Sequence, residues 1–410
     1  HRLKKIASIG ESGSCRLKLE SAVVRSIQID SEMREAAFPD WVRDHSGRVN
    51  PGLIKLDLYC KGLRIGRRCD LETDARVMLR TRAGLGSGLE LVLPDDLHIN
   101  VPVLEPFAGK SPYLLDKQER GYVLTWKGET VCPVQVPSQP MWYTEHTSSG
   151  TEMAKIGILQ GTYLGIYFGG MCDYWKGAPS LHCKFCATGL NVGVSEATEK
   201  RVADVVETCR AAQEKSGTTF VHFNSGYHGQ RGLEEVMPFV KAVKRETGML
   251  VGVQCTPEQD RSKYDRLIDM GTDHFSFCFE FYNREVFEKF CPGKEKTLGL
   301  DVFFEGIEYT SRQMGKGKVS GEMIAGLEPV ADTCAGIDHI TRLGAFPTVC
   351  VFRPLVGTDL AHLSPPPFED LVPVFRHVYE ACKRERIPTG IAPNVKVSLV
   401  VLPYEGKYFV

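Results

Sequence analysis

The sequence predicts an α/β protein, a partial (βα)6 barrel that follows a β-rich N-terminal extension. Three observations lead there. From residue 155 onward, short apolar runs alternate six times with amphipathic stretches. Before residue 155 the strand signals crowd together, separated by turn residues and with no helical run between them. A cysteine-bearing loop leaves the end of the first strand of the alternating part. Repeated strand–helix alternation implies a parallel sheet with right-handed crossovers. Six units suit a partial barrel better than the eight-fold one, and an open doubly wound sheet is the alternative.

In chain order, residues 53–59, 89–93, 98–103 and 122–126 read as short β-rich runs. Asp95-Asp96, Gly109-Lys110-Ser111-Pro112 and Lys127-Gly128 supply turns between them, so hairpins are expected. The run Lys61-Gly-Leu-Arg64-Ile-Gly-Arg67-Arg68 is either an anion site or a solvated basic face. Gly84-Leu-Gly86-Ser-Gly88 opens no helix, which makes it a poor phosphate loop.

Strands are then expected at 163–168, 218–223, 249–255, 274–280, 318–325 and 348–352. Helices are expected at 202–215, 233–246, 264–270, 301–313, 328–343 and 368–386. The tail at 395–402 reads as one more strand, pairing with the N-terminal extension. The implied divisions are an extension over 1–154, a barrel over 155–390 and a C-terminal tail over 391–410.

Function is expected at the C-terminal ends of the strands. There, after Gly169-Gly170, the loop carries Cys172, Cys183 and Cys186, spaced Cys-x10-Cys-x2-Cys. Three thiolates suit zinc or an iron–sulfur cluster. A structural zinc site closes with four protein ligands, which His182 or His222 would complete. A three-ligand cluster instead leaves one iron free to bind something else. Phe185, between the last two cysteines, can cover a cluster and meet a flat base. Core packing is a poor account of three cysteines in a loop rich in Gly, Pro and Lys.

Composition excludes several classes. Net charge is −1 over 410 residues, which offers no basic surface for nucleic acid or an anionic membrane. No apolar run reaches membrane-spanning length. His1-Arg-Leu-Lys-Lys-Ile is followed by no apolar signal core. The 14 scattered cysteines therefore read as reduced thiols of a cytoplasmic protein.

These residues together resemble the radical SAM superfamily, in which three cysteines after the first strand hold a [4Fe–4S] cluster that binds S-adenosylmethionine. Cys183-Lys-Phe185-Cys186 matches the second half of the family motif, and the ten residues after Cys172 depart from its usual three. The resemblance implies cofactor contacts at Ser225 and Gly226 after the second strand, although the family's glutamate is missing from that turn. It implies that Glu280 meets the ribose and that Lys294 pairs with the cofactor carboxylate. Ile324, Gly326 and Leu327 would lie against the adenine. The stretch from Cys291-Pro-Gly-Lys294 to this last motif is similar to the biotin synthase and lipoyl synthase branch. The N-terminal region, with Ser111-Pro112 and residues 156–161, is most similar to a radical SAM family encoded beside nitrilases.

The implied reaction is reductive cleavage of S-adenosylmethionine to a 5′-deoxyadenosyl radical, which abstracts hydrogen from a small organic substrate. Sulfur insertion, rearrangement or coupling, and transfer of a fragment of the cofactor all stay open, and a zinc-binding barrel is the other class. A reductant such as flavodoxin or ferredoxin is implied. Cys255, Cys278 and Cys350 would hold a second cluster if all three pointed inward; buried core thiols are the plainer reading. Arg353 is either a substrate-anion binder or a salt-bridge residue, and His222 and His228 are either acid–base groups or core histidines.

Overall fold

The computed structural model describes residues 42–43, 47–71 and 88–410. The expectations for the chain start and for Gly84 to Ser87 lie outside these residues.

The described chain opens on a helix, α1 (Pro51–Lys61), where period-two alternation had suggested a strand. The stronger signals are at its ends. Asn50 caps it by accepting from the Gly52 and Leu53 amides, Pro51 stands at the first turn, and Gly62 ends it with φ 68. The alternation misleads because polar residues of α1 are buried in pairs. Lys55 meets Glu405 at 2.8 Å, and Asp57 accepts from the Tyr113 hydroxyl at 2.8 Å.

After the short β1 (Arg64–Ile65), β2 (Gly88–Leu93) and β3 (Leu97–Pro102) form the expected antiparallel hairpin. A second sheet follows, in the order β1, β4 (Tyr113–Gln118), β5 (Gly121–Trp126) and β6 (Glu129–Pro133). The basic run is occupied by neighbours. Lys61 pairs with Asp57 and Arg68 with Asp116, and Arg64 donates to the Ser111 carbonyl at 2.6 Å.

The main sheet has seven strands. It begins with the antiparallel pair β7 (Ile158–Gln160) and β8 (Tyr163–Tyr167). From β8 onward every neighbour is parallel: β9 (Phe220–Asn224), β10 (Leu250–Gln254), β11 (His274–Glu280), β12 (Val319–Ala325) and β13 (Phe346–Val351). Strand order in space equals strand order in sequence, as a curled half-barrel sheet requires. β9 is buried throughout, as expected of a strand covered on both faces.

The connections are helical. α2 (Thr188–Asn191) and α3 (Val202–Ser216) follow β8, α4 (Gly232–Thr247) follows β9, and α5 (Ser262–Asp269) follows β10. α6 (Arg284–Phe290), α7 (Pro292–Thr297) and α8 (Asp301–Met314) lie between β11 and β12. α9 (Val330–Arg342) and α10 (Phe368–Glu385) follow β12 and β13. Local signals set their ends: α4 starts with Glu234 and Glu235, closes with Lys244 and Arg245, and stops at Gly248 with φ 65.

The tail forms no strand. Val397 makes one bridge to Gly161 in the β7–β8 turn, and Val401 makes one to Val349 of β13. It thus touches both edges of the open sheet. It also meets the N-terminal hairpin, since the Asn100 amide donates to the Ser398 carbonyl at 2.6 Å. Among the described residues no helix is long and apolar enough to cross a membrane.

Candidate active site

The C-terminal ends of the parallel strands open into a cavity. Cys172, Cys183 and Cys186 all line it, with Phe185, Ser225, Gly226, Glu280 and Lys294. Ile324, Gly326 and Leu327 are not in this lining. Gly326 instead sits against Pro366, where a Cβ would come within 2.6 Å. From β12 the cavity receives Glu322, which the sequence reading passed over.

The loop after β8 is fixed by backbone bonds. Asp173 donates to the Tyr227 carbonyl at 2.9 Å, Leu181 to Tyr174 at 2.9 Å and Lys184 to Phe290 at 2.9 Å. Stacked rings wall the cavity: Tyr174 lies on Tyr227 with centroids 4.5 Å apart, and Trp175 on His182 at 4.0 Å. Phe185 packs edge-on against Phe281 at 5.8 Å.

The turn after β9 touches the first cysteine directly. The Tyr227 amide donates to Cys172 Sγ at 3.3 Å, and the Gly226 amide donates to the Tyr167 hydroxyl at 3.0 Å. A Cβ on Gly226 would lie 2.3 Å from the Cys172 Cβ, so only glycine fits this approach. At the third cysteine, the Thr188 amide donates to Cys186 Sγ at 3.4 Å.

Two charged groups of the site are paired. Lys294 Nζ reaches Glu280 Oε1 and the Cys278 carbonyl, each at 2.7 Å. Burial works against the Lys294 charge, but the Glu280 carboxylate outweighs it and holds its pKa well above the usual lysine range. Glu280 itself has φ 68, and the β11–β12 register slips between Cys278 and Glu280. Alternation along β11 puts both side chains on the cavity side and Phe279 in the core.

The three cysteines differ. Burial raises Cys172, against the Tyr227 amide. Burial and the neighbouring Cys183 push Cys186 up to about 12. Cys183 is lowered, chiefly by a hydrogen bond from Cys291 and against its own burial. Cys291, at the start of α7, is thus a contact of the site that spacing alone did not single out.

Among the described residues, no group of three or more His, Cys, Asp or Glu side chains converges closely enough to hold a single metal ion. A cubane cluster binds its three thiolates through three different irons, so its ligands surround a space rather than a point. Three thiols around one cavity, with backbone donors aimed at two of them, fit that donor set. His182 lines the cavity but bonds Ser180 at 2.7 Å. His222 lies in a second cavity, among the N-terminal ends of the strands.

Cys255 and Cys278 line the upper cavity and Cys350 the lower one, so the structure does not gather them into a second ligand set. Arg353 donates to Asn100 at 2.6 and 3.2 Å, which ties β13 to the N-terminal hairpin. His228 is buried beside Glu235 at 3.7 Å. Every cysteine among the described residues is free.

No family model matches the chain. A curated relative, the bacteriochlorophyllide c C-7(1)-hydroxylase of Chlorobaculum limnaeum, is 22% identical over 256 residues, 56% of this chain and 62% of the relative. The chain thus matches less than two thirds of that relative's length. Among solved structures, methylornithine synthase (PylB) aligns with TM-score 0.43 and 17% identity over 53% of this chain and 62% of that one. A radical SAM methyltransferase from Sphaerobacter thermophilus aligns with TM-score 0.41 and 12% identity over 70% and 81%. The last of these is a radical SAM enzyme, and the chain is similar to all three.

Proposed function

We propose that this chain is a radical SAM enzyme acting on a small organic molecule, with a [4Fe–4S] cluster held by Cys172, Cys183 and Cys186. The observation that carries the reading is the shared cavity at the C-terminal ends of the parallel strands, lined by all three thiols and by one buried carboxylate–ammonium pair. When bound, the cluster supplies the electron that cleaves S-adenosylmethionine to methionine and a 5′-deoxyadenosyl radical, which takes hydrogen from the substrate.

The chain's own residues bind, orient and exclude water. Gly226 brings the turn after β9 against Cys172, and the Tyr227 and Thr188 amides donate to the outer two sulfurs. Donors of this kind favour the thiolate. Because burial holds Cys172 and Cys186 as thiols, loading the site releases protons and is favoured by rising pH. Glu280 and Lys294 present one charge of each sign to a cofactor that carries both, with Glu280 assigned to the ribose and Lys294 to the carboxylate. Phe185 and Phe281 keep the loop side dry. The six parallel strands are read as a partial (βα)6 barrel over 155–390, flanked by an extension (1–154) and a tail (391–410). A ferredoxin or flavodoxin is the proposed electron donor.

Anaerobic reconstitution tests this. About four irons per chain, and 5′-deoxyadenosine formed with dithionite and S-adenosylmethionine, are expected for the wild type. The Cys183→Ala and Cys186→Ala variants should form none. A zinc-loaded, colourless protein, or an intact cluster that never yields the nucleoside, refutes the proposal.

A further inference from the structure

Beneath the cysteine cavity lies a second, smaller one. Its walls are the N-terminal ends of the strands, including Phe220 of β9 and Phe346 of β13, and its floor is the tail, including Val400 and Leu402. Three side chains, Asn224, Gln254 and Glu322, line both cavities and form the polar layer between them.

The polar groups facing the lower cavity are unusually one-sided. Glu322 accepts from Ser276, Cys278 (3.3 Å) and Gln254, which work against the burial and the nearby Glu280 that raise its carboxyl, and among the described residues it has no cationic partner. Among the described residues, Asn224 Oδ1 and His222 Nε2 are buried with no hydrogen-bond partner, and no Lys or Arg lines this cavity. His222 stacks on Phe220 and His274 on Phe346, and burial lowers both imidazoles, to about 4 and about 3, so they are neutral. An anionic ligand would find no counter-charge here. A purely apolar one would leave buried acceptors bare, which is costly.

We propose that the lower cavity binds the substrate, a small molecule with a protonated amine paired to Glu322 and an apolar body lodged between Phe220 and Phe346. Asn224 Oδ1 takes a second N–H of the ammonium. The polar layer then sets the amine-bearing end toward the cysteine cavity, where the hydrogen would be removed. This deepens the proposed function and rests on it for the reaction, but not for the binding.

Binding of benzylammonium, benzyl alcohol and benzoate to the full chain, followed by ligand-observed NMR, tests it. Wild type should prefer benzylammonium to benzoate by about tenfold or more. Glu322→Gln should lose about tenfold for the amine and keep its affinity for the alcohol. Glu322→Asp should retain the amine preference, and Thr348→Trp, which fills the cavity, should weaken all three probes. The Cys183→Ala/Cys186→Ala protein should bind like wild type, which separates this inference from the fate of the radical reading. Benzoate bound as well as the amine, an unchanged amine affinity in Glu322→Gln, or no amine binding to wild type would each overturn it.

Discussion

Replacing Glu405 by Gln should destabilise the protein far more than replacing it together with Lys55. The pair joins α1 to the tail and is almost wholly buried, with side-chain exposures of 0% and 1%. Lys55 Nζ has both Glu405 oxygens within 3.0 Å and, among the described residues, otherwise only the Val397 carbonyl at 3.4 Å. Removing the carboxylate strands a buried ammonium, a change that costs about 3–5 kcal/mol. For a chain of 410 residues the unfolding entropy is about 0.9 kcal/mol/K, so Tm should fall by about 4–6 °C. The Lys55→Met/Glu405→Gln double variant removes both charges, keeps an acceptor for the Leu402 amide, and should lie near wild type; Lys55→Met is the other single variant. Thermal unfolding of the four proteins, followed by circular dichroism, completes the cycle. A double variant that falls by the sum of the single losses, or a Glu405→Gln protein within about 1 °C of wild type, would refute the reasoning.

Two further outcomes follow from the same contacts. Burial raises the Glu90 carboxyl to about 7, against bonds from Asn100 and Ser398. The folded chain then holds this proton more tightly than the unfolded chain, so stability falls as pH rises from about 4.5 to 7, by about 3 kcal/mol at most. Urea midpoints across that range should drop in wild type and flatten in Glu90→Gln. Gly226→Ala should leave Tm within about 2 °C but bind less than about half the wild-type iron on reconstitution, because the new methyl displaces Cys172. Full iron loading in that variant would show that the close approach is not needed.

The alternating half of the chain was legible because each strand there is a short apolar run ended by a turn residue. β9, β10 and β12 lie within two residues of their expected bounds. The cysteine loop was legible from spacing, and Glu280 from its place at the end of β11. What the sequence hid depends on distant partners. Lys55 and Asp57 look like the outer face of a strand until Glu405 and Tyr113, both far along the chain, are placed beside them. The tail looks like a strand because its residues alternate, yet among the described residues its β-bridges to the sheet fall only at the two edges. Glu322 looked like part of an apolar motif. Only the register of β12 against β11, Cys278 opposite Glu322, turns it toward the cavities. Cys291 carried no spacing signal, since it meets Cys183 only when α7 folds back over the loop.

The tail has a bearing on the order of assembly. Strands β8 to β13 each pair with the strand made just before, so the sheet can grow by short loop closures. The Lys55–Glu405 contact spans 350 positions, and the tail that carries it is also the base of the lower chamber. The chamber is therefore completed only after one of the longest closures in the described chain, and a protein that has formed its sheet has not yet formed the place where we expect its ligand to sit. Refolding watched through the strands and refolding watched through amine binding should run on two different clocks.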